Sequence, residues 1–102
     1  MANWSGSIVN TTTTSITISW KNFTSVLAQH ILHYVVVMKN TNGSILNVNI
    51  VSRGTTSAAF NGLSPYAEYR VTIVGVDDQG NSYKSSDVTV WTDEGGTVFK
   101  HK

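Results

Sequence analysis

Apolar and polar residues alternate along most of the chain, and a period of two indicates β-strands that bury one face. The clearest stretch runs from Tyr69 to Val76, where Val71 and Ile73 recur at every second position with Arg70 and Thr72 between them and Tyr69. The next clearest runs from Ser15 to Trp20, with an isoleucine or tryptophan at every second position. Both stretches predict strands with one face in a hydrophobic core.

Weaker alternation predicts five more strands, and turn-forming residues separate them. Gly6 interrupts the first of these at a position where the alternation calls for an apolar residue. The strand that begins at His30 is apolar on both faces, which predicts a central or covered strand. Turns are predicted at Asn40–Gly43 and Asp77–Ser82, because Asn and Gly tolerate positive φ angles. The five strands are Trp4–Asn10, His30–Lys39, Ile45–Val51, Thr56–Phe60 and Ser86–Thr92.

Seven short strands without a helical period predict an all-β fold, a seven-stranded antiparallel β-sandwich. The 102 residues leave room for one hydrophobic core and not for two. Residues 1–94 are expected to form this domain. Residues 95–102 are expected to be a linker or tail, because Gly95 and Gly96 leave the alternating pattern.

Composition narrows the possible functions. Hydrophobic residues make up 40% of the chain and charged residues 13%, which is typical of a globular protein and not of a disordered one. The formal net charge of +1 leaves no basic surplus for a phosphate backbone, so no nucleic-acid partner is expected. The absence of cysteine excludes disulfides, thiolate metal sites and a cysteine nucleophile. No apolar run approaches the ~20 residues of a membrane span, so no membrane contact is expected.

Candidate catalytic and metal-binding residues are few. His30 and His33 are three apart near a strand start, and this odd spacing sends their side chains to opposite faces of a strand. Asp77 and Asp78 lie in a predicted turn, but the alternating acidic loop and closing glutamate of a calcium site are missing. We therefore expect solvated or structural roles for these residues, with no catalytic residues, metal or cofactor, and no enzyme activity.

Four asparagines satisfy the N-x-S/T pattern for N-glycosylation. With nine asparagines, and with 25 serines and threonines among the 102 residues, about two matches are expected by chance. The placement carries more weight than the number, because all four fall in predicted loops, turns or the N-terminus, where a glycan is tolerated. This favours an extracellular location. The four candidates are Asn3, Asn10, Asn22 and Asn42.

Residues around the Tyr69 strand carry a family resemblance. Leu63 and Pro65 precede Tyr69 in the spacing Leu-x-Pro-x-x-x-Tyr-x-Val, which fits a corner where the ring packs inward and its hydroxyl bonds to the turn backbone. Trp20 ends the second strand, and Tyr34-x-Val36 lies in the third. Together these residues resemble the fibronectin type III family over roughly Ile8 to Asp93. The positions expected to be structural are Trp20, Tyr34, Leu63, Pro65 and Tyr69.

The resemblance implies an immunoglobulin-like sandwich and a module of a larger animal protein. The cell-attachment tripeptide that some members carry is absent, because the corresponding loop contains Gly80, Asn81 and Ser82. Integrin recognition by that route is therefore not implied. Gly75 also departs from the family, which commonly has alanine there.

Two surfaces are candidates for binding a partner. If Tyr34, Val36, Met38, Tyr69, Val71, Ile73, Val88 and Val90 face the core, alternation places Val35, Val37, Val74 and Trp91 on the outer face of the same sheet. Such a patch either marks a contact surface or reflects the strand propensity of valine and tryptophan. The competing surface is the polar loop Asp77–Lys84. Its candidate residues are Asp77, Asp78, Asn81 and Tyr83.

These observations predict a non-catalytic, extracellular adhesion or recognition module of a receptor or matrix protein. Its expected partner is a protein or a neighbouring domain of the same chain. Alternatives are a ligand-free spacer in a tandem array, an accessory module of a secreted carbohydrate-active enzyme, and a cytoskeletal array in which the glycosylation patterns are accidental.

Overall fold

Two antiparallel sheets pack face to face in the computed structural model, which describes residues 4–21 and 31–94. In the smaller sheet the strand order is β1-β2-β5, and in the larger it is β4-β3-β6, with β7 and β8 both paired with β6. This confirms the predicted all-β sandwich, with eight strands in the described residues instead of seven. The strands are β1 (Ser7–Thr11), β2 (Ile16–Ser19), β3 (Ile31–Lys39), β4 (Ile45–Ser52), β5 (Ser57–Phe60), β6 (Glu68–Asp77), β7 (Ser82–Lys84) and β8 (Val88–Trp91).

The eighth strand arises because one edge of the larger sheet is split. β7 pairs with Val74–Val76 of β6, and β8 pairs with Glu68–Val71. Between them the Ser85 backbone N–H donates to the Ile73 carbonyl at 2.8 Å, while the Ser85 hydroxyl accepts from the Ile73 N–H at 2.8 Å. A side chain thus replaces one ladder bond where the edge strand breaks. The sequence did not predict β7, because Ser-Tyr-Lys lacks apolar alternation.

The core lies between the sheets and takes one face of each long strand. The residues of β3 and β6 that we expected to face inward are buried, and in β8 Val90 is buried while Val88 is partly buried. Direct cross-strand partners share that face, as Val36 does with Ile73. The buried apolar residues are Ile16, Ile18, Trp20, Ile31, Tyr34, Val36, Met38, Ala58, Phe60, Tyr69, Val71, Ile73 and Val90.

Gly6 has a packing reason for interrupting the apolar pattern. It is buried, and a Cβ atom built on it would lie 2.8 Å from the Cδ1 atoms of Ile18 and Ile73. The expected apolar side chain therefore has no room, because these two isoleucines already fill the space. The first strand also begins later than predicted, at Ser7 instead of Trp4.

The turn before β6 is fastened from inside by Tyr69. Tyr69 is buried, and its hydroxyl accepts a partly buried hydrogen bond from the Ser64 backbone N–H at 3.0 Å, as the corner hypothesis expects. Thr92, also buried, accepts from the Ala67 N–H at 2.9 Å and donates to the Ser64 carbonyl at 2.7 Å. Leu63 packs against the core, while Pro65 is exposed. Neutral side chains therefore satisfy this turn's backbone.

Candidate binding surfaces

The outer face of the larger sheet carries an apolar row that crosses three strands. Val35 is the direct partner of Val74 on one side and of Ile50 on the other. Val37 is likewise the partner of Val48. The three predicted valines are half-buried, whereas the β4 residues are exposed. The structure thus brings Val35, Val37 and Val74 together and extends their surface onto β4.

We did not predict the β4 contribution, because alternation does not show which face of an edge strand is covered. Partners in register share a face, so the pairing with β3 fixes Val48 and Ile50 on the outside. On the inner side, Val51 packs against the core, and the Asn49 side-chain amide donates to the Ala59 carbonyl at 3.3 Å.

Trp91 lies apart from these valines. It pairs with Glu68, which lies about 13 Å along β6 from Thr72, the partner of Val37, and about 20 Å from Val74. Asp87 reaches between the two regions, because its carboxylate accepts a hydrogen bond from the Thr72 hydroxyl and lies 3.8 Å from the Lys39 ammonium. The four outer-face candidates are therefore divided by a polar cluster.

Trp91 instead forms an exposed aromatic pair with Tyr66. Their ring centroids are 5.1 Å apart with 41° between the ring planes, and the residues are 49% and 62% exposed. The sequence does not single out Tyr66, because this residue directly follows Pro65 in a predicted turn and belongs to no alternating stretch. Its proximity to Trp91 depends on the way this turn folds against the end of β8.

The backbone holds Tyr66 in a conformation that side chains disfavour. Its φ of 48° lies in the left-handed region, which costs a non-glycine residue about 1 to 3 kcal/mol. The Tyr66 N–H donates to the Asp93 carbonyl at 3.0 Å, and the Thr92 N–H donates to the Ala67 carbonyl at 3.0 Å. These bonds fix the aromatic pair on the end of the domain.

The second candidate surface is organised around Asp77. This residue is only 5% exposed, and its carboxylate accepts hydrogen bonds from the backbone N–H groups of Gln79 at 2.9 Å and Asn81 at 2.8 Å. The Asn81 side-chain amide and the Tyr83 hydroxyl also donate to it, both at 3.1 Å. Burial acts to raise the pKa of Asp77, but the hydrogen bonds outweigh it and hold the pKa below its usual value.

Three of the four loop candidates are thus engaged with one another. Tyr83 is half-buried and packs against the core, and burial, together with the Asp77 hydrogen bond and charge, raises the pKa of its hydroxyl. Asp78 is exposed at the turn. The carboxylate of Asp77 and the side chains of Asn81 and Tyr83 shape the loop from within, which leaves Asp78 as the acidic group that faces solvent.

Two of the glycosylation candidates lie in the described residues, and both are exposed. Asn10 lies within edge strand β1 opposite Thr17, instead of in a loop. Asn42 lies in the β3–β4 turn, where its N–H donates to the Asn40 side chain at 2.9 Å. Asn3 and Asn22 fall outside the described residues.

His33 faces the outer side of β3 as the partner of Ser52 and Val76, while His30 falls outside the described residues. Within residues 4–21 and 31–94, no three His, Asp or Glu side chains are grouped so that they could hold a metal ion. The same part of the chain contains no helix of the length and hydropathy needed to cross a membrane.

Comparison with known proteins agrees with this geometry. The family model for the fibronectin type III domain matches residues 5–91, and the chain belongs to that family. The chain is 33% identical over 94 residues to the MAM and fibronectin type III domain-containing protein 1 of Acropora millepora. That alignment covers 92% of this chain but only 22% of the relative, so the chain spans about a fifth of that protein.

Solved structures show the same fold. A fibronectin type III domain of human collagen XX superposes with a TM-score of 0.73 at 22% identity, covering 87% of this chain and 88% of that one. The domain of human contactin 1 gives a TM-score of 0.76 at 15% identity, with 94% and 80% covered. Identities this low support the sandwich and not a shared ligand.

Proposed function

We propose that this domain is a non-catalytic recognition module of a larger extracellular animal protein and that it contacts a protein partner through Tyr66 and Trp91. The observation that carries the proposal is the exposed aromatic pair. Fibronectin type III domains are generally non-catalytic modules, and the Acropora millepora relative is several times longer than this chain. A module of this kind acts through its surface.

The chemistry of the pair suits a protein interface. Tyr and Trp are enriched among the residues that dominate binding energy, since each buries a large area with few rotatable bonds. The bonds that fix Tyr66 also reduce the entropy lost on binding. Glu68, the partner of Trp91, and Arg70, two residues farther along β6, supply charged groups on the same face of the sheet as Trp91. An aromatic centre with a polar rim is the usual arrangement of such interfaces.

Site-specific photo-crosslinking in the full-length parent protein tests this contact. A photoreactive benzoylphenylalanine is introduced at Tyr66 in protein secreted from animal cells, and the products are identified by mass spectrometry. We expect a cross-link to a discrete protein or neighbouring domain. The matched control places the same group at Val9, an exposed residue of β1, where no such product is expected.

A second substitution, Trp91→Ser, decides between binding and folding. Trp91 is half exposed, so the change should leave the unfolding midpoint nearly unaltered while the cross-link from position 66 falls at least tenfold. A cross-link that survives Trp91→Ser unchanged would rule out the aromatic pair as the contact. Tyr83→Phe keeps the ring that packs on the core and should leave the cross-link intact.

The extracellular part of the proposal rests on the exposed glycosylation patterns. Secretion from an animal host should add glycans at one or more of Asn10, Asn22 and Asn42, which intact mass and glycosidase digestion measure. Asn10→Gln and Asn42→Gln, separately and together with Asn22→Gln, assign the added mass. A secreted protein with no added mass would favour the cytoskeletal alternative.

A further inference from the structure

Among the described residues, β4 is a sheet edge with little of the usual protection. It lies at the end of the β4-β3-β6 order and runs for eight residues, Ile45 to Ser52, with no charged residue and no proline. Its residues Ile45, Leu46, Val48 and Ile50 are 43% to 69% exposed. Edge strands are commonly protected by charge, proline or a bulge, because an unprotected edge pairs with other strands.

Two other described edges contrast with β4. β1 has five residues and a register shift between Ile8 and Asn10, and Asn10 carries a glycosylation pattern. The opposite edge of the larger sheet is broken at Ser85 between β7 and β8. The register shift of β4 lies near its start, where Met38 pairs with Asn47 and Lys39 with Ile45, so the pairing from Asn47 to Ser52 is regular.

One hydrogen bond shows which backbone groups face the open side. The Val48 N–H donates to the side-chain oxygen of its neighbour Asn47 at 2.8 Å, so it takes no part in the ladder with β3. Backbone groups of alternate residues point to the same side of a strand. Because the pairing is regular only from Asn47 to Ser52, this parity carries from Val48 to Ile50, whose backbone groups point to the same open side.

The residue pattern around Val48 is symmetric. Leu46-Asn47-Val48-Asn49-Ile50 has apolar, polar, apolar, polar and apolar residues in either direction. Antiparallel pairing with a second copy about Val48 sets Leu46 opposite Ile50, Asn47 opposite Asn49, and Val48 opposite itself. The open backbone groups of Val48 then lie directly opposite those of its counterpart, as a hydrogen-bonded pair requires. A shift of two residues would set Ile50 opposite Ser44, or Leu46 opposite Ser52.

We propose that the domain pairs with a second copy of itself along β4, antiparallel and centred on Val48, so that the two larger sheets become one. A two-fold interface needs a surface that complements itself, and this segment meets that condition. No charge on β4 opposes the approach of its copy. Val35 and Val37 continue the apolar surface on the outer face next to β4. The Val48 N–H exchanges the Asn47 side chain for the carbonyl of its counterpart.

The first test measures mass in solution with glycan-free protein from a bacterial host. Light scattering at concentrations up to about 1 mM should give twice the mass of one chain. Val48→Lys places two ammonium groups opposite each other and should shift the dissociation constant at least tenfold toward monomer. Val9→Lys makes the same change on edge strand β1 and should remain a dimer. A monomeric parent domain at the highest concentration, or a dimer insensitive to Val48→Lys, would overturn the proposal.

The second test fixes the register. The chain has no cysteine, and opposed residues in a hydrogen-bonded pair have Cα atoms ~5.5 Å apart, within disulfide range. Val48→Cys alone should oxidise to a disulfide dimer, and Leu46→Cys mixed with Ile50→Cys should cross-link faster than either alone. Val9→Cys serves as the control and should stay monomeric on a denaturing gel. Equal rates for Val48→Cys and Val9→Cys would exclude pairing about Val48.

This inference is independent of the aromatic pair. Trp91→Ser should remain a dimer, whereas Val48→Lys should keep the cross-link expected from position 66. If the parent domain is monomeric but captures a synthetic peptide of residues 45–52, the edge accepts strands but a second copy is not its partner, and the proposal is wrong.

Discussion

The two ends of β6 are fastened by the same device with different chemistry. At its start, the Tyr69 hydroxyl accepts from the N–H of Ser64 in the preceding turn. At its end, the Asp77 carboxylate accepts from the N–H groups of Gln79 and Asn81 in the following turn. A phenol accepts a hydrogen bond while neutral, but the carboxylate is the stronger acceptor when ionised. The first end is therefore insensitive to acid, and the second depends on pH.

The support behind the two ends also differs. Near the Asp77 end, the Tyr34 ring packs against Trp20 with centroids 5.5 Å apart and against Trp4 at 6.2 Å. The Tyr69 end is tied instead by hydroxyl bonds, with Thr92 as the second member. Changes to aromatic volume should therefore affect the Asp77 end most, and changes to hydroxyl groups should affect the Tyr69 end most.

The largest expected effect comes from removing the aromatic support. Trp20→Ala should lower the free energy of unfolding by about 3 to 5 kcal/mol, because a buried indole leaves a cavity between the sheets. Denaturant unfolding measures the change, with Val9→Ala as an exposed control within about 0.5 kcal/mol. A loss below about 1 kcal/mol would mean that the Asp77 end does not depend on this cluster.

Loss of the corner bond should have the next largest effect. Tyr69→Phe leaves the Ser64 N–H without its acceptor and should cost about 1 to 3 kcal/mol. The same loss should be found at pH 3 and pH 7, because a neutral hydroxyl makes the bond at both. Tyr66→Phe, on an exposed ring, provides the control. If Tyr69→Phe lowered the free energy of unfolding at pH 7 but not at pH 3, the Tyr69 end of β6 would not be insensitive to acid.

The Asp77 end should lose stability in acid. The pKa of Asp77 is lower in the folded state than its unfolded value of about 3.9, so the carboxylate stabilises the fold above that value. This contribution is lost as pH falls through the folded pKa. Asp77→Asn should reduce the free energy of unfolding at pH 7. It should also make this free energy depend less on pH in the acid range. Asp78→Asn should follow the parent curve; an equal effect of both changes would exclude the specific role of Asp77.

The smallest effect is expected at alkaline pH. The pKa of the Tyr83 hydroxyl is raised in the folded state by burial and by Asp77, so the neutral phenol stabilises the fold below its unfolded pKa of about 10. That contribution is lost as pH rises through the folded pKa. Tyr83→Phe should make the free energy of unfolding fall less steeply with pH in the alkaline range. The ionisation that Tyr83→Phe removes from a spectrophotometric titration should lie above the ordinary tyrosine pKa of about 10, and a removed ionisation at or below that value would refute this.

The corner could be predicted from sequence, but the role of Asp77 could not be fully predicted. Leu63, Pro65 and Tyr69 lie within seven residues, so local spacing carries the corner. Asp77 and Asp78 are chemically equal neighbours, and we expected both in a solvated turn. The missed signal was parity, because Asp77 continues the inward series of Val71 and Ile73 while Asp78 does not. Its bonding partners depend on how the turn closes.

The outer face was predicted in direction but not in extent. Alternation correctly assigned Val35, Val37 and Val74 to one side, because side-chain direction depends only on parity. Parity does not give the position of a residue along the sheet. Only the register of β8 on β6 shows that Trp91 is separated from the three valines. The polar division also depends on Asp87, whose contacts with Thr72 and Lys39 join residues distant in sequence.

The bonds at Asp93 have a mechanical consequence. The Asp93 N–H donates to the Thr12 carbonyl at 2.9 Å, and the Thr11 hydroxyl donates to the Asp93 carboxylate at 2.6 Å. The end of β1 is thereby joined to the chain that leaves β8. Tension applied through the two flanking segments would pull β1 and this exit in opposite directions and load these bonds in shear together with the β1–β2 ladder. Bonds that share a load break together, so removing one of them should weaken the set. Single-molecule pulling should therefore show a lower unfolding force for Thr11→Val than for the parent domain. Equal forces would mean that the bond from Thr11 to Asp93 carries none of the load.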